Sequence, residues 1–479
     1  MFRRAVLVTG LCLVLPMLTA VGLSSTSAGA SSPERSTVML SLAEVTDMSA
    51  NIGGMAFAAL PRWAPSNYTT HGGPSFNNPS GSKASRRRNL DRVKRMVNAA
   101  KGYRVSSPSQ CPKRPAYAPN KIRIGLYSFS DYKVANALIA AHRRCIAVQV
   151  LMNDHLSNRT VPAFGKLQKY LGTKRYRRSF ARRCNDGCRG NVGPLHSKMF
   201  LFNQTGRLGR VVMFGSTNLT GKAANVQWND LFVFAGRNKM WNQHVKIFQE
   251  MIRDQRAPNP LERNYVDGPY LSMFWPQPGH RWATDRVLRE LRLVKCGARP
   301  TGGTGYAGHT GVAINIHAME GERGLYLARH LVAMKRAGCR VRVLYGLIAP
   351  RIHRTLKNGR VPSRRTIFDR TGDDHADVYT HMKVVAINGV FNRDRSTRLV
   401  LTGSENFSHK AVGADEVWVR IPSWGAWRRY QNLFDMIWKS NYHSSPRYAF
   451  YSQSDTPVHA RTSEPRPGSI LVTQEDLEG

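Results

Sequence analysis

The sequence contains few acidic residues for its length. Of its 479 residues, 30 are Asp or Glu and 71 are Lys or Arg, which gives a formal net charge of +41. Most of the cationic side chains are arginines, whose planar guanidinium suits phosphate recognition. Polyanions and anionic membrane surfaces are therefore favoured partners. An Arg-rich but merely solvated surface would give the same composition, so charge alone does not identify a substrate.

Long apolar runs are absent beyond the N-terminus, which excludes an internal membrane span of ~20 residues. At the N-terminus, Arg3 and Arg4 precede an apolar run over residues 5–23, and the small residues Ala-Gly-Ala follow at 28–30. This arrangement is typical of a secretory signal peptide. The sequence predicts a signal peptide over 1–30 and a secreted, extracellular protein.

Two sets of residues repeat the same pattern. The first set is His196-Ser197-Lys198, Gly215-Ser216-Thr217-Asn218 and Asp230, and the second is His381-Met382-Lys383, Gly403-Ser404-Glu405-Asn406 and Glu416. Each set supplies an imidazole, a cation, hydroxyl and amide groups and a carboxylate. The duplication predicts one site between two halves, with a histidine on each side of a bond being broken.

The segments around these sets repeat as well. Apolar residues at every second position predict strands at 122–126 and 312–316, and a helical pattern, a cysteine and another strand follow each. This order predicts an α/β fold in which helices cover a sheet. We expect lobes over 31–255 and 256–450 and a polar tail over 451–479. The lobes are expected to meet in a linker between about Arg256 and Gly268, which contains Pro258, Asn259, Pro260 and Gly268.

Cysteine is scarce, with seven residues, of which Cys12 lies in the predicted signal peptide. The Cys184–Cys188 spacing is compatible with a metal ligand pair, but no second pair follows at zinc-site spacing. Disulfides are favoured in an oxidising compartment. The parity of the halves predicts the pairs Cys111–Cys145 and Cys296–Cys339, with Cys184–Cys188 as a local staple.

The paired segments also suggest a local geometry. If residues 196–202 form a strand, His196 and Lys198 face the same side and reach one phosphate. His381 and Lys383 repeat the arrangement. The glycine that opens each Gly-Ser-x-Asn segment permits close approach of the backbone.

Histidine-x-lysine followed by Gly-Ser-x-Asn, in duplicate, resembles the phospholipase D superfamily, whose signature is a histidine, a lysine and an aspartate in each of two lobes. The resemblance covers about residues 76–442. It implies two similar lobes, each a β-sheet flanked by helices, related by a pseudo-two-fold axis with both motifs at the seam. Asn203 and Asn388 stand where the family has its aspartates, which lie away from the reacting phosphate. Catalysis is expected to survive this departure, with a silent polyanion-binding protein as the alternative.

The residue types indicate a mechanism. A site for a phosphodiester must neutralise its oxygens, and the expected groups are Lys198, Lys383, Asn218, Asn406, Ser216 and Ser404. One neutral histidine can attack phosphorus and form a phosphohistidine, while the other protonates the leaving alkoxide. The resemblance implies His196 as the nucleophile and His381 as the acid, although the symmetry of the motifs does not assign them.

Two carboxylates complete the expected site. Asp230 and Glu416 are predicted to hold the imidazoles in the required tautomer. The two lysines supply the positive charge that a metal would bring, so neither a metal nor another cofactor is expected. The acidic segment at 373–377 lacks the spacing of a calcium loop and is predicted to be a solvated loop near the site mouth.

Basic loops precede both motifs. The first contains Lys174, Arg175, Arg177, Arg178, Arg182, Arg183 and Arg189 with Tyr170, Tyr176 and Phe180 interleaved, and the second contains Arg351, Arg354, Arg360, Arg364, Arg365 and Arg370. We expect these loops to rim the site and attract a polyanion or an anionic membrane.

Three functions remain open from the sequence. The first is a secreted, monomeric phospholipase D that hydrolyses, or transfers, a phospholipid head group. The second is a secreted metal-independent nuclease with the same chemistry, favoured by the charge and the aromatic residues among the arginines. The third is the silent binder suggested by Asn203 and Asn388.

Overall fold

The computed structural model describes residues 62–63, 68–69, 71–103, 105–111, 120–190, 193–279, 281–369, 371, 376–440, 448–449 and 469–470. The predicted signal peptide lies outside these residues, as does most of the predicted tail. The chain divides into a unit Met1–Ala59, whose residues are not described, and a unit Leu60–Gly479, which contains every element below. Within the described ranges, no helix is long and apolar enough to cross a membrane.

The first lobe is built on a mixed seven-stranded sheet. Its strands lie side by side in the order Gly73–Phe76, Asp230–Phe234, Leu208–Gly215, Met199–Thr205, Lys121–Leu126, Ala147–Asn153 and Phe180–Cys184. The last three strands are parallel to one another and the other neighbours are antiparallel. The helices of this lobe are Lys83–Ala99, Tyr132–Arg143, Pro162–Leu171, Gly221–Asn225 and Asn238–Arg253.

The second lobe repeats this plan on an eight-stranded sheet. Its strand order is Arg263–Asp267, Tyr270–Phe274, Val417–Pro422, Asp394–Gly403, Lys383–Phe391, Gly311–Met319, Arg340–Ile348 and Ser363–Arg365. The helices are Arg286–Arg292, Gly321–Arg336, Pro350–Asn358, His409–Gly413 and Trp424–Lys439. The α/β fold of two similar lobes is confirmed. The exact lobe boundaries stay a prediction, and residues 263–267 of the expected linker form a strand.

Shorter elements complete the described chain. They are the strand pairs Arg62–Trp63 with Gly102–Tyr103, Gln227–Trp228 with Tyr379–Thr380, and Tyr448–Ala449 with Ser469–Ile470, and the 3-10 turn Pro108–Gln110. The pair formed by Gln227–Trp228 and Tyr379–Thr380 joins the two lobes directly before His381.

Local sequence explains why the repeated helices begin where they do. Asp131 precedes the helix Tyr132–Arg143, and its carboxylate accepts a hydrogen bond from the Val134 amide at 2.8 Å. Ser423 caps the helix Trp424–Lys439 in the same way through the Ala426 amide. Such caps satisfy amides that have no partner within the helix.

The apolar core is continuous between the lobes. Phe214 and Phe232 of the first sheet belong to the same buried cluster as Val400 and Val417 of the second. Burial of apolar area between two sheets is the main stabilising contribution to such a contact. The two sheets therefore form one unit in which the seam has a fixed geometry.

Disulfides connect the pairs of cysteines expected from the repeat. Cys111 bonds to Cys145, Cys296 to Cys339, and Cys184 to Cys188. The first two fasten a loop to the end of the helix that precedes a parallel strand in each lobe. The third closes a short loop directly before Arg189.

Candidate active site

His196 lies at the seam, before the strand Met199–Thr205 rather than within it. The expectation of a strand over 196–202 is therefore corrected at its first three residues. The amide of His196 donates to the carbonyl oxygen of Asp415 in the second lobe at 3.1 Å, and Ser197 donates to the same oxygen at 2.6 Å. The backbone of this segment is therefore hydrogen-bonded to the second lobe.

Glu416 holds the imidazole of His196. The Nδ1 atom of His196 lies 2.6 Å from Oε1 of Glu416, and the other carboxylate oxygen accepts from the Ser404 hydroxyl. Burial raises the pKa of Glu416 to about 8, against the positive charge of Lys198, which lowers it. The contact of Nδ1 with Glu416 leaves Nε2 of His196 as the ring atom available for substrate.

His381 has neutral partners instead. Its Nδ1 donates to the side-chain oxygen of Asn229 at 2.9 Å and to the carbonyl oxygen of Ser216 at 3.0 Å. Its Nε2 is buried and has no hydrogen-bond partner among the described residues. Burial lowers the pKa of His381 well below its ordinary value, and the positive charges of Lys383 and Lys198 act in the same direction.

Both lysines of the repeated motif are buried at the seam. Lys198 Nζ donates to the His196 carbonyl oxygen at 2.6 Å, and Lys383 Nζ donates to the His381 carbonyl oxygen at 2.7 Å. Both side chains have no exposed surface. Burial lowers the pKa of Lys383 well below its ordinary value, and the nearby charge of Lys198 lowers it further. An anion bound between these two cations would favour their charged forms and so raise the pKa of Lys383.

The Gly-Ser-x-Asn segments surround the same region. Asn218 is fully buried, and its side-chain oxygen accepts from the Ser128 amide at 3.2 Å. Ser216 donates through its hydroxyl to Asn229 at 2.9 Å. Asn406 is buried, and its side-chain oxygen has no partner among the described residues. Asn406 and His381 thus each leave a buried polar side-chain atom without a hydrogen-bond partner among the described residues, whereas Asn218 and Ser216 are hydrogen-bonded.

Asp230 does not orient His381, which corrects the expectation from the motif. Its carboxylate accepts from the Ser216 amide, the Thr402 hydroxyl and, at 2.7 Å, the Tyr430 hydroxyl. Thr402 and Tyr430 belong to the second lobe, so Asp230 joins the lobes below the site. Burial raises its pKa. The role predicted for Asp230 falls to its neighbour Asn229, which the motif comparison passed over.

Asn203 and Asn388, at the positions of the family aspartates, lie along their strands. Asn203 accepts from Arg123 at 2.9 Å, and Asn388 accepts from the Gly305 amide at 3.0 Å. Both asparagines therefore have structural partners distinct from the histidines and lysines.

Residues 174–178 of the first basic loop do not rim the site. Residues 174–178 precede the strand Phe180–Cys184, which runs parallel to Ala147–Asn153, so they lie at the start of these strands, beside Cys145. Arg182 pairs with Asp254 at 3.1 Å, and Arg189 pairs with Glu250 at 2.9 Å. Phe180 is buried. Parallel pairing places residues 174–178 at the sheet end opposite the histidines, while Arg182 and Arg189 form ion pairs within the fold.

Two arginines of the second basic segment also have partners within the protein. Arg351 pairs on the surface with Glu322, whereas Arg364 donates to the carbonyl oxygen of Trp438. Arg370 and residues 372–375, which include most of the acidic segment, lie outside the described residues.

Three rings near the histidines were not identified from the sequence. Tyr127 meets His196 edge-on with ring centroids 5.3 Å apart, and His155 stacks on Tyr127 at 3.8 Å. His317 lies 4.7 Å from His381 between ring centroids. Tyr127 directly follows the strand Lys121–Leu126, and His317 lies near the end of the equivalent strand Gly311–Met319.

Among the residues that the structure describes, no cluster of three or more His, Cys, Asp or Glu side chains is arranged to hold a metal ion. The expectation that the chain needs no metal or other cofactor stays a prediction.

Comparison with known proteins agrees with the motifs. A family model described as "Cardiolipin synthase, PLD-like domain" matches residues 116–252, which include His196, Lys198, Asn218 and Asp230. No curated protein matches the chain.

Solved structures resemble the chain at low identity. Phosphatidylserine synthase of Haemophilus influenzae Rd KW20 is 13% identical with a TM-score of 0.48, over 78% of this chain and 88% of that one. Polyphosphate kinase of Porphyromonas gingivalis is 10% identical with a TM-score of 0.47, over 77% of this chain and 50% of that one, so the match spans half of the kinase. Nuc of Salmonella typhimurium, a phospholipase D family member, is 17% identical with a TM-score of 0.26, over 38% of this chain and 99% of that one. Residues 116–252 thus match a PLD-like domain, and the duplicated motifs extend the resemblance to the phospholipase D superfamily into the second half of the chain.

Proposed function

We propose that this protein cleaves phosphodiesters without a metal, through a covalent phosphohistidine on His196. The observation that supports this most is the 2.6 Å contact between His196 and Glu416 across the seam. It occurs beside two buried lysines and a second histidine whose Nε2 has no protein partner among the described residues. A nucleophile with an orienting carboxylate, an acid and a cationic cradle are the parts that the reaction needs.

The first step uses the difference between the histidines. Nε2 of His196 attacks phosphorus, and Glu416 stabilises the positive charge that develops on the ring. The bond from phosphorus to the leaving oxygen breaks, and protonated His381 gives its Nε2 proton to that oxygen. Lys198 and Lys383 stabilise the equatorial oxygens.

The depressed pKa of His381 suits this role once substrate is bound. In the empty site, burial and the lysine charges keep His381 neutral. A phosphodiester brings a negative charge between the lysines and favours protonation of the imidazole. His381 then carries a proton that it gives up readily, because its partners are an amide and a carbonyl rather than a carboxylate.

The second step returns the enzyme to its starting state. Neutral His381 removes a proton from water, and the oxygen attacks the phosphohistidine. The phosphorus–nitrogen bond breaks and leaves a phosphomonoester and free His196. An alcohol in place of water gives transfer rather than hydrolysis.

Two substrate classes are candidates. The phospholipid head group is the candidate from sequence, and the name of the matching family model, cardiolipin synthase, supports it. A nucleic-acid strand is the second candidate, and the net charge of +41 favours it.

Export and oligomeric state belong to the same proposal. Three disulfides and the absence of a membrane-spanning helix in the described part of the chain are compatible with secretion. The predicted signal peptide supports it. Since one chain supplies both histidines, we propose that the active form is a monomer.

The test is a paired assay on phospholipid vesicles and on a single-stranded oligonucleotide, with and without EDTA. Wild type should cleave one of these, unaffected by EDTA, and His196→Ala and His381→Ala should abolish cleavage. His309→Ala, at an exposed histidine before the strand Gly311–Met319, is the matched control and should retain activity. Activity that survives His196→Ala, or that requires a metal, would overturn the proposal.

A further inference from the structure

His155 lies one layer outside the reacting groups of the first lobe. It follows the strand Ala147–Asn153, and its ring stacks on Tyr127 with centroids 3.8 Å apart and planes 10° from parallel. The Tyr127 ring in turn contacts His196 edge-on and lies 5.5 Å from Lys198 Nζ. His155 is solvent-exposed, whereas Tyr127 beneath it is buried. The outer ring of this stack therefore stands at the boundary between the site and solvent.

Both nitrogens of the His155 ring are engaged by the protein. Nδ1 donates to the side-chain oxygen of Asn153 at 2.8 Å, and Nε2 accepts from the Ser128 hydroxyl at 3.1 Å. The Asn153 amide is itself fixed, because its nitrogen donates to the Asp186 carbonyl oxygen at 2.9 Å. The ring is thus held in one orientation, and the part that remains for a ligand is its flat face and carbon edge.

The ring also carries no charge at neutral pH. Partial burial of the ring and the positive charges of Lys198 and His196 lower the pKa of His155 to about 4. Tyr127 covers one face of the ring, and the residue as a whole retains solvent-exposed surface. A fixed, neutral aromatic face next to a phosphate site is suited to stacking a planar ring rather than to binding an anion.

The second lobe has no such platform at the matching place. His317 occupies the position on its strand that corresponds to Tyr127, and the ring beyond it, Tyr379, is buried. Exposed large apolar side chains in the described residues are spread over helices, strands and loops of both lobes: Tyr132, Tyr170, Tyr176, Val266, Trp282, Trp424 and Met436. A docking face for a bilayer would need such residues to be contiguous.

We propose that His155 is a specificity-determining residue that stacks a nucleobase next to the scissile phosphate, so that the substrate is a single-stranded nucleic acid. This inference rests on the proposed phosphodiesterase function and chooses between its two substrate candidates. Stacking on an aromatic side chain accepts any base, because every base offers a planar face. The platform therefore selects for the presence of a base and not for its identity.

The test measures binding, so that it does not depend on turnover. In a His196→Ala background, equilibrium affinity is measured for a thymidine trinucleotide and for an abasic trinucleotide of the same charge. The parent should prefer the base-bearing ligand, and His155→Ala should remove that preference through a roughly 5- to 30-fold rise in Kd for the thymidine ligand alone. His155→Phe, which keeps a flat ring, should retain most of the preference, and His309→Ala should leave both affinities unchanged.

Several outcomes would overturn the inference. Equal affinity of the parent for the two ligands would do so, as would an equal loss for both in His155→Ala, which indicates a structural role. Preferential binding of phosphatidylglycerol vesicles over the trinucleotide would assign the site to lipid instead. If wild type cleaves no diester but the base preference and its loss are observed, the binding platform stands and the proposed catalysis fails.

Discussion

The two lobes support equivalent Gly-Ser-x-Asn segments with different chemistry. In the first lobe Asn89 donates to the Thr217 hydroxyl at 3.0 Å, a contact between neutral groups. In the second, Glu405 takes the place of Thr217 and pairs with the fully buried Arg323 at 2.6 Å. Arg323 also pairs with Asp285 at 2.6 Å and donates to the Asn406 carbonyl oxygen. One backbone geometry is therefore obtained from neutral hydrogen bonds on one side and from an ion network on the other.

The same contrast is found at the histidines. Glu416 binds His196, while Asn229 and a carbonyl oxygen bind His381. A charged partner favours a ring that must carry positive charge as a phosphohistidine, and neutral partners favour a ring that must release a proton. In the proposed mechanism, this difference gives the two histidines of the duplicated motif distinct roles.

The largest effect should come from removing either histidine, and the leaving group should distinguish them. We expect His196→Ala to lose at least about 10⁴-fold in kcat on every diester, because it removes the nucleophile. His381→Ala should lose about 10²- to 10⁴-fold with an alkyl leaving group but far less with p-nitrophenolate, which needs no acid. Steady-state rates on two matched diesters measure this. Equal losses for His381→Ala on both would contradict the assigned roles.

Substitution of Glu416 should change kcat, whereas substitution of Asn229 should change the pH dependence of the rate. Glu416→Gln should lower kcat by about 10²- to 10⁴-fold, as loss of an orienting carboxylate does in a catalytic triad. Asn229→Asp makes the lobes alike and should raise the pKa of His381, so the alkaline limb of the pH–rate profile moves to higher pH. A profile that stays in place would argue that His381 is not the acid.

The residues that hold the two Gly-Ser-x-Asn segments should differ in how much they contribute to the free energy of unfolding. Arg323→Met leaves the buried Asp285 carboxylate without its cation and should lower the free energy of unfolding by about 3–5 kcal/mol. Asn89→Ala should lower it by about 1–3 kcal/mol, because the groups left unpaired are neutral. Urea denaturation compares them. If Arg323→Met does not fold, Arg323→Lys provides the measurement, and equal costs in the two lobes would refute the distinction.

The smallest effect concerns pH and Asp415, the counterpart of Asn229 in the second lobe. Burial raises the pKa of Asp415 from 3.8 to about 7, so the folded state holds a proton that the unfolded state releases. Its contribution to stability is fully present below pH ~4 and is lost between pH ~4 and 7, by about 1.4 kcal/mol per pH unit, with no further loss above that range. Asp415→Asn does not titrate, so its stability should gain on wild type by this amount between pH ~5 and ~6, and the difference should level off above pH ~8. Parallel pH curves for the two proteins would contradict the expected titration.

Sequence reasoning predicted the elements whose pattern is local. The strands near 122–126 and 312–316 alternate apolar residues and are buried in the structure. The histidines, lysines and disulfide pairs could also be predicted, because they recur at equivalent positions in the two halves of the sequence. Local pattern and repetition were sufficient for these features.

What escaped prediction depends on contacts between the lobes. The residues at 196–198 pair with Asp415 rather than with neighbouring strands, so no local pattern indicates their conformation. Motif symmetry suggested equal roles for Asp230 and Glu416, although the seam gives them different partners. The basic segment at 174–178 is near His196 in sequence, but parallel strand pairing carries it to the far end of the sheet.

Each of the two histidines is hydrogen-bonded by a residue from the other half of the chain, which matters if the chain is cut into two fragments. Glu416 serves a histidine that the chain encodes some two hundred residues earlier, and Asn229 serves one encoded much later. In a fragment that ends near residue 255, the His196 imidazole would lack its carboxylate, and in the complementary fragment His381 would lack the Asn229 amide. Co-expressed as separate polypeptides, the fragments should regain turnover only on reassociating, which makes the chain a natural candidate for a split reporter of proximity.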